Sequence, residues 1–344
     1  MTLVNKVLLI YTGGTIGMNR NPRTGALEPF RFEHLLANVP ELNDFDVEIN
    51  TYQFTPPIDS SDMSPQLWID LVHIIANNYA QYDGFVILHG TDTMAYTASA
   101  LSYMLDNLTK PVILTGSQLP IGQLRTDGKE NLITSIEIAA AKRHDGRAMV
   151  PEVGIYFNGH LMRGNRTTKQ SADNFNAFES FNYGHLADAG VTIDYHENRI
   201  LTPDFSKPME PRFQLDPSVL VFTIFPGIQE SLVKQILTTP DLRSIVMRTY
   251  GSGNAPQYTW LINMLKEATA AGKVIINISQ CMAGSVEMSR YDTGYQLKAA
   301  GVLSGYDSTV ESAVTKLMYL QARYSDYHQV RNYMLRSIRG EISL

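Results

Sequence analysis

The sequence predicts an α/β fold with parallel sheets, arranged as two domains. Short apolar runs recur, each ending in a polar, glycine-rich turn, and segments with helical spacing lie between them. Runs that are apolar throughout are strands buried on both faces, and their alternation with helices marks a parallel sheet. The series is interrupted once, in 196–217, where TPDFSKPMEPRFQLDP carries four prolines and no periodicity. A chain of 344 residues exceeds one ordinary core. The break therefore reads as a linker between a domain at 1–195 and a second at 218–344.

In the first domain the strand runs are KVLLIYTGG (6–14), GFVILHGTD (84–92), PVILTGSQ (111–118) and EVGIYFNG (152–159). A helix is expected over 64–82, with Ser64 as its cap and Pro65 at its first position. MAYTASALSYMLDNL (94–108) and KENLITSIEIAAAKR (129–143) place apolar residues at helical spacing. The second domain repeats the scheme with strands SVLVFTIF (218–225), SIVMRTYG (244–251) and KVIINIS (273–279). Ligands of such sheets bind beyond the carboxyl ends of the strands. Thr15, Thr91, Asp92 and Ser117 fall there.

Composition narrows the function. Hydrophobic residues at 44% and charged residues at 18% describe a globular chain, neither disordered nor fibrous. A net charge of −6 gives no basic footprint for nucleic acid. The single cysteine, Cys281, excludes an intramolecular disulfide and suits a reducing compartment. MTLVNKVLLIYTGG lacks the apolar core and cleavage site of a signal peptide, and no apolar run approaches the roughly 18 residues of a membrane helix. These features predict a cytoplasmic protein without nucleic-acid or membrane partners.

The chemistry starts at YTGGTIGM (11–18), where an apolar strand runs into a glycine-rich turn. The spacing fits neither the dinucleotide pattern G-x-G-x-x-G nor the phosphate pattern G-x-x-x-x-G-K-[ST]. Thr15 stands out instead, a hydroxyl between Gly14 and Ile16 where the backbone can come close. A second loop, HGTDTM (89–94), presents Thr91 and Asp92 at a strand end. A threonine hydroxyl becomes a nucleophile only when a base takes its proton. His89 adjoins this loop but reads more readily as a residue satisfied beside the turn. Lys169, in the polar segment RGNRTTKQSAD (163–173), is an alternative base; on spacing alone it is also an ordinary surface lysine.

TGGTIGM, DSSDM (59–63), HGTDTMAYTASAL (89–101), TGSQLP (115–120), RGNRTTK (163–169), YGSGNAPQ (250–257) and SQCMAGSVEM (279–288) together resemble the bacterial type I, cytoplasmic L-asparaginases. The resemblance spans nearly the whole chain. It implies a larger N-terminal domain with a flavodoxin-like parallel sheet and a smaller C-terminal α/β domain, assembled as a homotetramer of two intimate dimers. It also implies hydrolysis of L-asparagine to L-aspartate and ammonia with neither metal nor organic cofactor. Thr15 matches the nucleophile that forms an acyl-enzyme ester, and Thr91, Asp92 and Lys169 match a second triad in which the lysine polarises Thr91.

The residue chemistry agrees with those roles. Asp92 can accept from the substrate ammonium, and Ser60, Ser61 and the loop amides around Asp59 can donate to its carboxylate. Asp59, Ser60 and Ser61 read equally as a helix cap before Pro65, and helix starts also bind anions. Asn254 matches a partner-subunit contact to the ammonium; its plain reading is a Gly-Asn turn. Arg248, Ser279, Gln280 and Cys281 match positions of an asparagine effector site in allosteric members, with an interdomain ion pair as the plain reading of Arg248.

One position departs from the family. Members often carry a tyrosine after a glycine in the loop following the nucleophile, and RTGALEPF (23–30) has Ala26 there. Tyr291 is the candidate replacement, matching a segment that some relatives use from the neighbouring subunit; an ordinary packed tyrosine is the other reading. Residues 20–30 read as a lid. The rival functions are a mixed asparaginase-glutaminase, since one methylene is worth only about 1–3 kcal/mol, and a catalytically weak amino-acid sensor. A tRNA-linked amidotransferase subunit would need an N-terminal extension before Thr15, and a nucleotide-binding protein would need other glycine spacing.

Overall fold

A computed structural model describes the chain apart from residues 1–3, 21–22, 25–26, 30–38 and 291. It divides into two compact units, Met1–Phe213 and Gln214–Leu344.

The first unit is built on an eight-stranded sheet. Its strands are β1 (Asn5–Tyr11), β2 (Val47–Gln53), β3 (Gly84–Leu88), β4 (Val112–Thr115), β5 (Val153–Phe157), β6 (His160–Arg163), β7 (Ala187–Ala189) and β8 (Ile193–Tyr195). The order is β8-β7-β6-β5-β4-β3-β1-β2. β2, β1, β3, β4 and β5 are mutually parallel in the flavodoxin order, and β6 to β8 extend one edge antiparallel. Register places Tyr11 opposite Leu88, and Leu88 opposite Thr115, so these three strands end level. Two glycine-rich loops leave from that rim.

The strands form because both faces are covered. Val7, Leu9, Tyr11, Val86, Leu88 and Ile113 pack with Leu132, Ile136 and Ile138 of helix α3 (Gly128–Ala140). The alternate residues Leu8, Ile10, Phe85, Ile87 and Leu114 are also buried, as are Leu71, Val72 and Ile75 of α1 (Pro65–Asn78) and Ala98 and Leu101 of α2 (Met94–Met104). Each such side chain contributes about 1.5–3 kcal/mol on leaving water. Ser64 occupies the α1 cap position, but its side chain makes no capping bond. Its carbonyl accepts from Leu67 N and Trp68 N as the first bonds of the helix, and Pro65 sits at the first helical position, where no donor is needed.

Much of 196–217 is bound to the first unit. Glu210 and Pro211 pair antiparallel with Leu105 and Asp106, and Asn107 Nδ2 donates to the carbonyls of Asp204 and Lys207, each at 2.9 Å. Proline-rich chain can dock this way when another residue's side chain satisfies its backbone. After the first glycine-rich turn, Met18–Arg20 pairs antiparallel with Leu27–Pro29.

The second unit carries a parallel sheet of β9 (Val219–Thr223), β10 (Ser244–Thr249), β11 (Val274–Ser279) and β12 (Leu303–Ser304) in that order. Ile245, Met247 and Ile275 pack with Val233 of α4 (Glu230–Thr238) and Leu261 and Leu265 of α5 (Thr259–Ala270). α6 (Asp292–Ala299) lies between β11 and β12, and α7 (Val310–Arg323) and α8 (Tyr327–Met334) follow β12. Among the described residues no helix is long and apolar enough to cross a membrane.

Candidate functional site

The site is assembled by backbone before side chains. Leaving β1, Thr12 donates from N to Leu88 O at 3.0 Å and from its hydroxyl to the same oxygen at 2.9 Å. Its own carbonyl accepts from Ile58 N at 2.7 Å, which draws the 58–62 loop against the first. Gly14 then adopts φ +95°, and a Cβ there would lie 2.5 Å from Gly90 N. The 12–15 and 89–92 loops therefore touch backbone to backbone, as only glycines allow. Thr15, half-buried, starts a 3₁₀ turn immediately after this contact, and Thr91 follows Gly90 on the other side. Beneath them Tyr11 donates to Gly17 O at 3.2 Å, and burial pushes its hydroxyl up to about 12.

Lys169 reaches this rim from β6. Arg163, at the end of that strand, forms a buried ion pair with Glu152 at 2.7 Å, and Thr167 Oγ1 donates back to Arg163 O at 2.7 Å. Thr168 and Lys169 then pair antiparallel with Glu179 and Phe178. So held, Lys169 Nζ donates to Thr91 Oγ1 at 2.8 Å and to Asp92 Oδ1 at 2.7 Å. The lysine side chain is 19% exposed and the Asp92 side chain 64%, so the pair faces an open mouth. A half-buried ammonium against a threonine hydroxyl can polarise it or carry its proton. A carboxylate at the rim can receive a cationic ligand.

The 59–62 loop carries a cap of its own, separate from the start of α1 at Ser64. Asp59 caps the 3₁₀ turn Ser60–Asp62, with Oδ1 accepting from both Ser61 N and Ser61 Oγ at 2.9 Å. The Ser61 N–H, then its hydroxyl, hold the Asp59 carboxyl below the usual carboxylate range. With both Ser61 donors engaged, buried Ser60 is the hydroxyl this loop offers to an anion. Ser60 lies against Gly90, and its carbonyl accepts from Thr93 Oγ1 at 2.6 Å.

His89 serves structure. It is fully buried, with Nδ1 2.7 Å from Gly90 O and Nε2 2.9 Å from Thr97 Oγ1. Thr97 Oγ1 accepts from Trp68 Nε1 at 2.9 Å, so its proton goes to His89 Nε2 and the imidazole is the neutral Nδ1–H tautomer. Desolvation takes its pKa down to about 4. Ser117 is likewise buried, its hydroxyl donating to Leu119 O at 2.5 Å, and Asp127 accepts from Gln118 N and Leu119 N. Asp127 and Thr12 went unmarked by sequence. The TDG that precedes α3 was the available sign for Asp127; Thr12 had none beyond its place at a strand end.

In the second unit, β10 and β11 bring the remaining candidates together. Thr249 lies opposite Ser279, Ser279 Oγ donates to Gly251 O at 2.6 Å, and Cys281 N donates to Ser279 Oγ at 3.0 Å. Gln280 Nε2 donates to Arg248 O at 3.1 Å. Arg248 Nε is buried without a hydrogen-bond partner. Asn254 forms a backbone bridge with Tyr250, and its Oδ1 accepts from Thr293 Oγ1 at 2.6 Å. Ala26 and Tyr291 lie outside the described residues.

Residues 6–201 match the family domain described as "Asparaginase, N-terminal", and residues 218–334 match the "Glutaminase/Asparaginase C-terminal domain". The sequence is 42% identical to L-asparaginase 1 of Escherichia coli over 346 aligned residues, covering 98% of each chain. The fold superposes on L-asparaginase I from Vibrio cholerae with a TM-score of 0.90 at 41% identity, covering 99% of each chain. The thermostable L-asparaginase from Thermococcus kodakarensis gives a TM-score of 0.88 at 30% identity, covering 98% of this chain and 99% of that one.

Proposed function

The chain belongs to the asparaginase/glutaminase family, and we propose that it is an L-asparaginase, hydrolysing L-asparagine to L-aspartate and ammonia. The observation that carries this reading is the Lys169 ammonium held on Thr91 Oγ1 and Asp92 Oδ1, one residue beyond the glycine contact that seats Thr15.

In this reading the Thr15 hydroxyl oxygen attacks the carboxamide carbon. Its proton passes to the amide nitrogen, which leaves as ammonia, and water then cleaves the Thr15 ester to give aspartate and the restored hydroxyl. Lys169 polarises Thr91, whose backbone N–H faces the developing oxyanion, a contact worth roughly 3–4 kcal/mol. Asp92 takes the substrate ammonium and Ser60 the α-carboxylate, with Asp59 and Ser61 shaping that loop. Asn254 from a neighbouring copy adds to the ammonium site; its oxygen keeps a second lone pair beside Thr293. Tyr291 takes the place of the tyrosine that Ala26 lacks. A homotetramer, as a dimer of dimers, and a cytoplasmic location belong to the same proposal. So does an asparagine effector site at Arg248, Ser279, Gln280 and Cys281, supported by the unpartnered Arg248 Nε that a carboxylate would satisfy.

Ammonia release measured over a concentration series of asparagine and glutamine, with wild type beside Thr15→Ala, tests the reading. Asparagine turnover that vanishes in Thr15→Ala is the expected result. Binding without turnover would make the chain a sensor, and equal rates on glutamine would make it a mixed amidase. Hyperbolic curves unchanged by Arg248→Ala would remove the effector site.

A further inference from the structure

The antiparallel edge of the first sheet gathers three histidines around one carboxylate, on the stretches of chain that flank the Lys169 segment. His160 begins β6, His185 precedes β7, Asp188 lies within β7 and His196 follows β8. The pairing of Asp188 with His160 across β6 and β7 brings the side chains to one spot. His160 Nδ1 lies 2.7 Å and His185 Nδ1 2.8 Å from the same oxygen, Asp188 Oδ1. His196 Nε2 lies 2.8 Å from the other, Asp188 Oδ2. The two imidazoles stack with centroids 4.2 Å apart. Among the described residues this is the group of three whose ligand atoms all lie within 4.8 Å of one another.

We propose that His160 Nδ1, His185 Nδ1 and Asp188 Oδ1 form a binding site for a zinc-class divalent cation, with water completing the coordination. Two imidazole nitrogens and one carboxylate suit a borderline ion and are a poor set for calcium or magnesium, which take oxygen ligands. The fit is close. A tetrahedral zinc with bonds of about 2.0–2.1 Å separates its ligand atoms by roughly 3.3 Å, so Asp188 need withdraw by only about half an ångström. To bind the ion, each Nδ1 must present a lone pair, with the remaining ring proton on Nε2.

The surroundings already suit that arrangement. His185 Nε2 faces Glu179 Oε1 at 3.3 Å, so its proton meets a carboxylate acceptor. A carboxylate behind a ligating histidine orients the ring and strengthens its bond to metal. His196 holds the second Asp188 oxygen and fixes the plane of the carboxylate. All four residues of the cluster are partly exposed, with side-chain exposures of 22–43%, so an ion can enter from solvent. Such a cation would tie β6, β7 and the Phe178–Glu179 strand together, and its binding does not depend on the reaction assigned above.

Co2+ titrated into the full tag-free chain tests the site through its visible ligand-field bands. One equivalent per chain is expected, displaced by Zn2+ and not by excess Mg2+. His185→Gln and Asp188→Asn should abolish the bands, Glu179→Gln should weaken binding about 10-fold, and His144→Gln should leave it unchanged. Zn2+ should also raise the melting temperature of wild type by a few degrees and not that of Asp188→Asn. Circular dichroism confirms that each variant is folded; if His185→Gln is not, Glu179→Gln decides. No bands at ~100 μM Co2+, or bands that survive both Asp188→Asn and Glu179→Gln undiminished, would overturn the assignment.

Discussion

Lys169 stands 78 residues from Thr91 in sequence and 2.8 Å from its hydroxyl oxygen in space. The same ammonium lies 2.7 Å from Asp92, so one cation bridges two consecutive residues of the β3 loop. An ammonium can only donate, which leaves the Thr91 hydroxyl proton directed elsewhere, toward whatever occupies the mouth.

Removing that cation separates its two duties. Lys169→Met should lower kcat on asparagine by about 10²–10⁴-fold. Lys169→Arg should not restore it, because a guanidinium keeps its proton and presents a fork where the loop fits a point charge. Steady-state kinetics with an aspartate-binding measurement checks this. Wild-type kcat in Lys169→Met would break the link between the contact and the chemistry.

The contact of Gly14 with Gly90 sets the spacing of the two threonines. Gly14→Ala would force a Cβ to 2.5 Å from Gly90 N at a φ of +95°, which alanine resists. The loops must separate, and a displacement of about 1 Å at a reacting group costs on the order of 10²-fold in rate. The expected variant is folded, with a melting temperature lowered by a few degrees and kcat/KM down by about that factor. Activity within twofold of wild type would mean the loops tolerate the extra atom.

Strands β1, β3, β4 and β5 were legible because VLLIY, FVIL, VIL and VGIYF are buried on both faces and so carry no charged residue. The edge strand β2, VEINTYQ, is half-exposed throughout and left no such run. The short antiparallel strands β6 to β8 carry too few residues for a period to show. Thr15, Thr91 and Asp92 could be placed at strand tips from local pattern alone. Lys169 could not, since periodicity says nothing about a contact across 78 residues. The histidines of the β6–β7 edge were invisible for the same reason, being at 160, 185 and 196 with no ligand spacing between them. His89 was correctly weighed as structural, and its Thr97–Trp68 chain supplies the cause.

His89 also predicts a pH dependence. Its pKa is lowered from 6.5 to about 4 by desolvation in the folded protein. Between those values the unfolded chain binds the proton and the folded one does not, so stability rises with pH. The contribution is complete above pH 6.5 and is lost as pH falls toward 4, a swing of about 3 kcal/mol. Urea titrations at pH 7 and pH 5 should show wild type losing stability. His89→Gln, which keeps a donor and an acceptor without titrating, should lose less over the same range. Equal losses in both would place the acid sensitivity elsewhere.

The pair that anchors the Lys169 segment is buried, with Arg163 and Glu152 side chains each 4% exposed. Glu152 Oε1 also accepts from Leu201 N at 2.7 Å, and Arg163 Nη2 donates to Arg199 O at 2.6 Å, so the pair joins three stretches of chain. Glu152→Ala leaves a guanidinium in the interior without its counter-charge, a change that costs about 3–5 kcal/mol. Replacing both partners with methionine removes the stranded charge and should recover a substantial part of that loss. Residue 163, no longer tied to position 152 and to the Arg199 carbonyl, would then hold the start of the Lys169 segment less firmly, so the double variant should regain stability more than it regains kcat. Urea unfolding beside asparagine turnover separates the two effects. A double variant as unstable as Glu152→Ala alone would show that packing, not charge, dominates at this position.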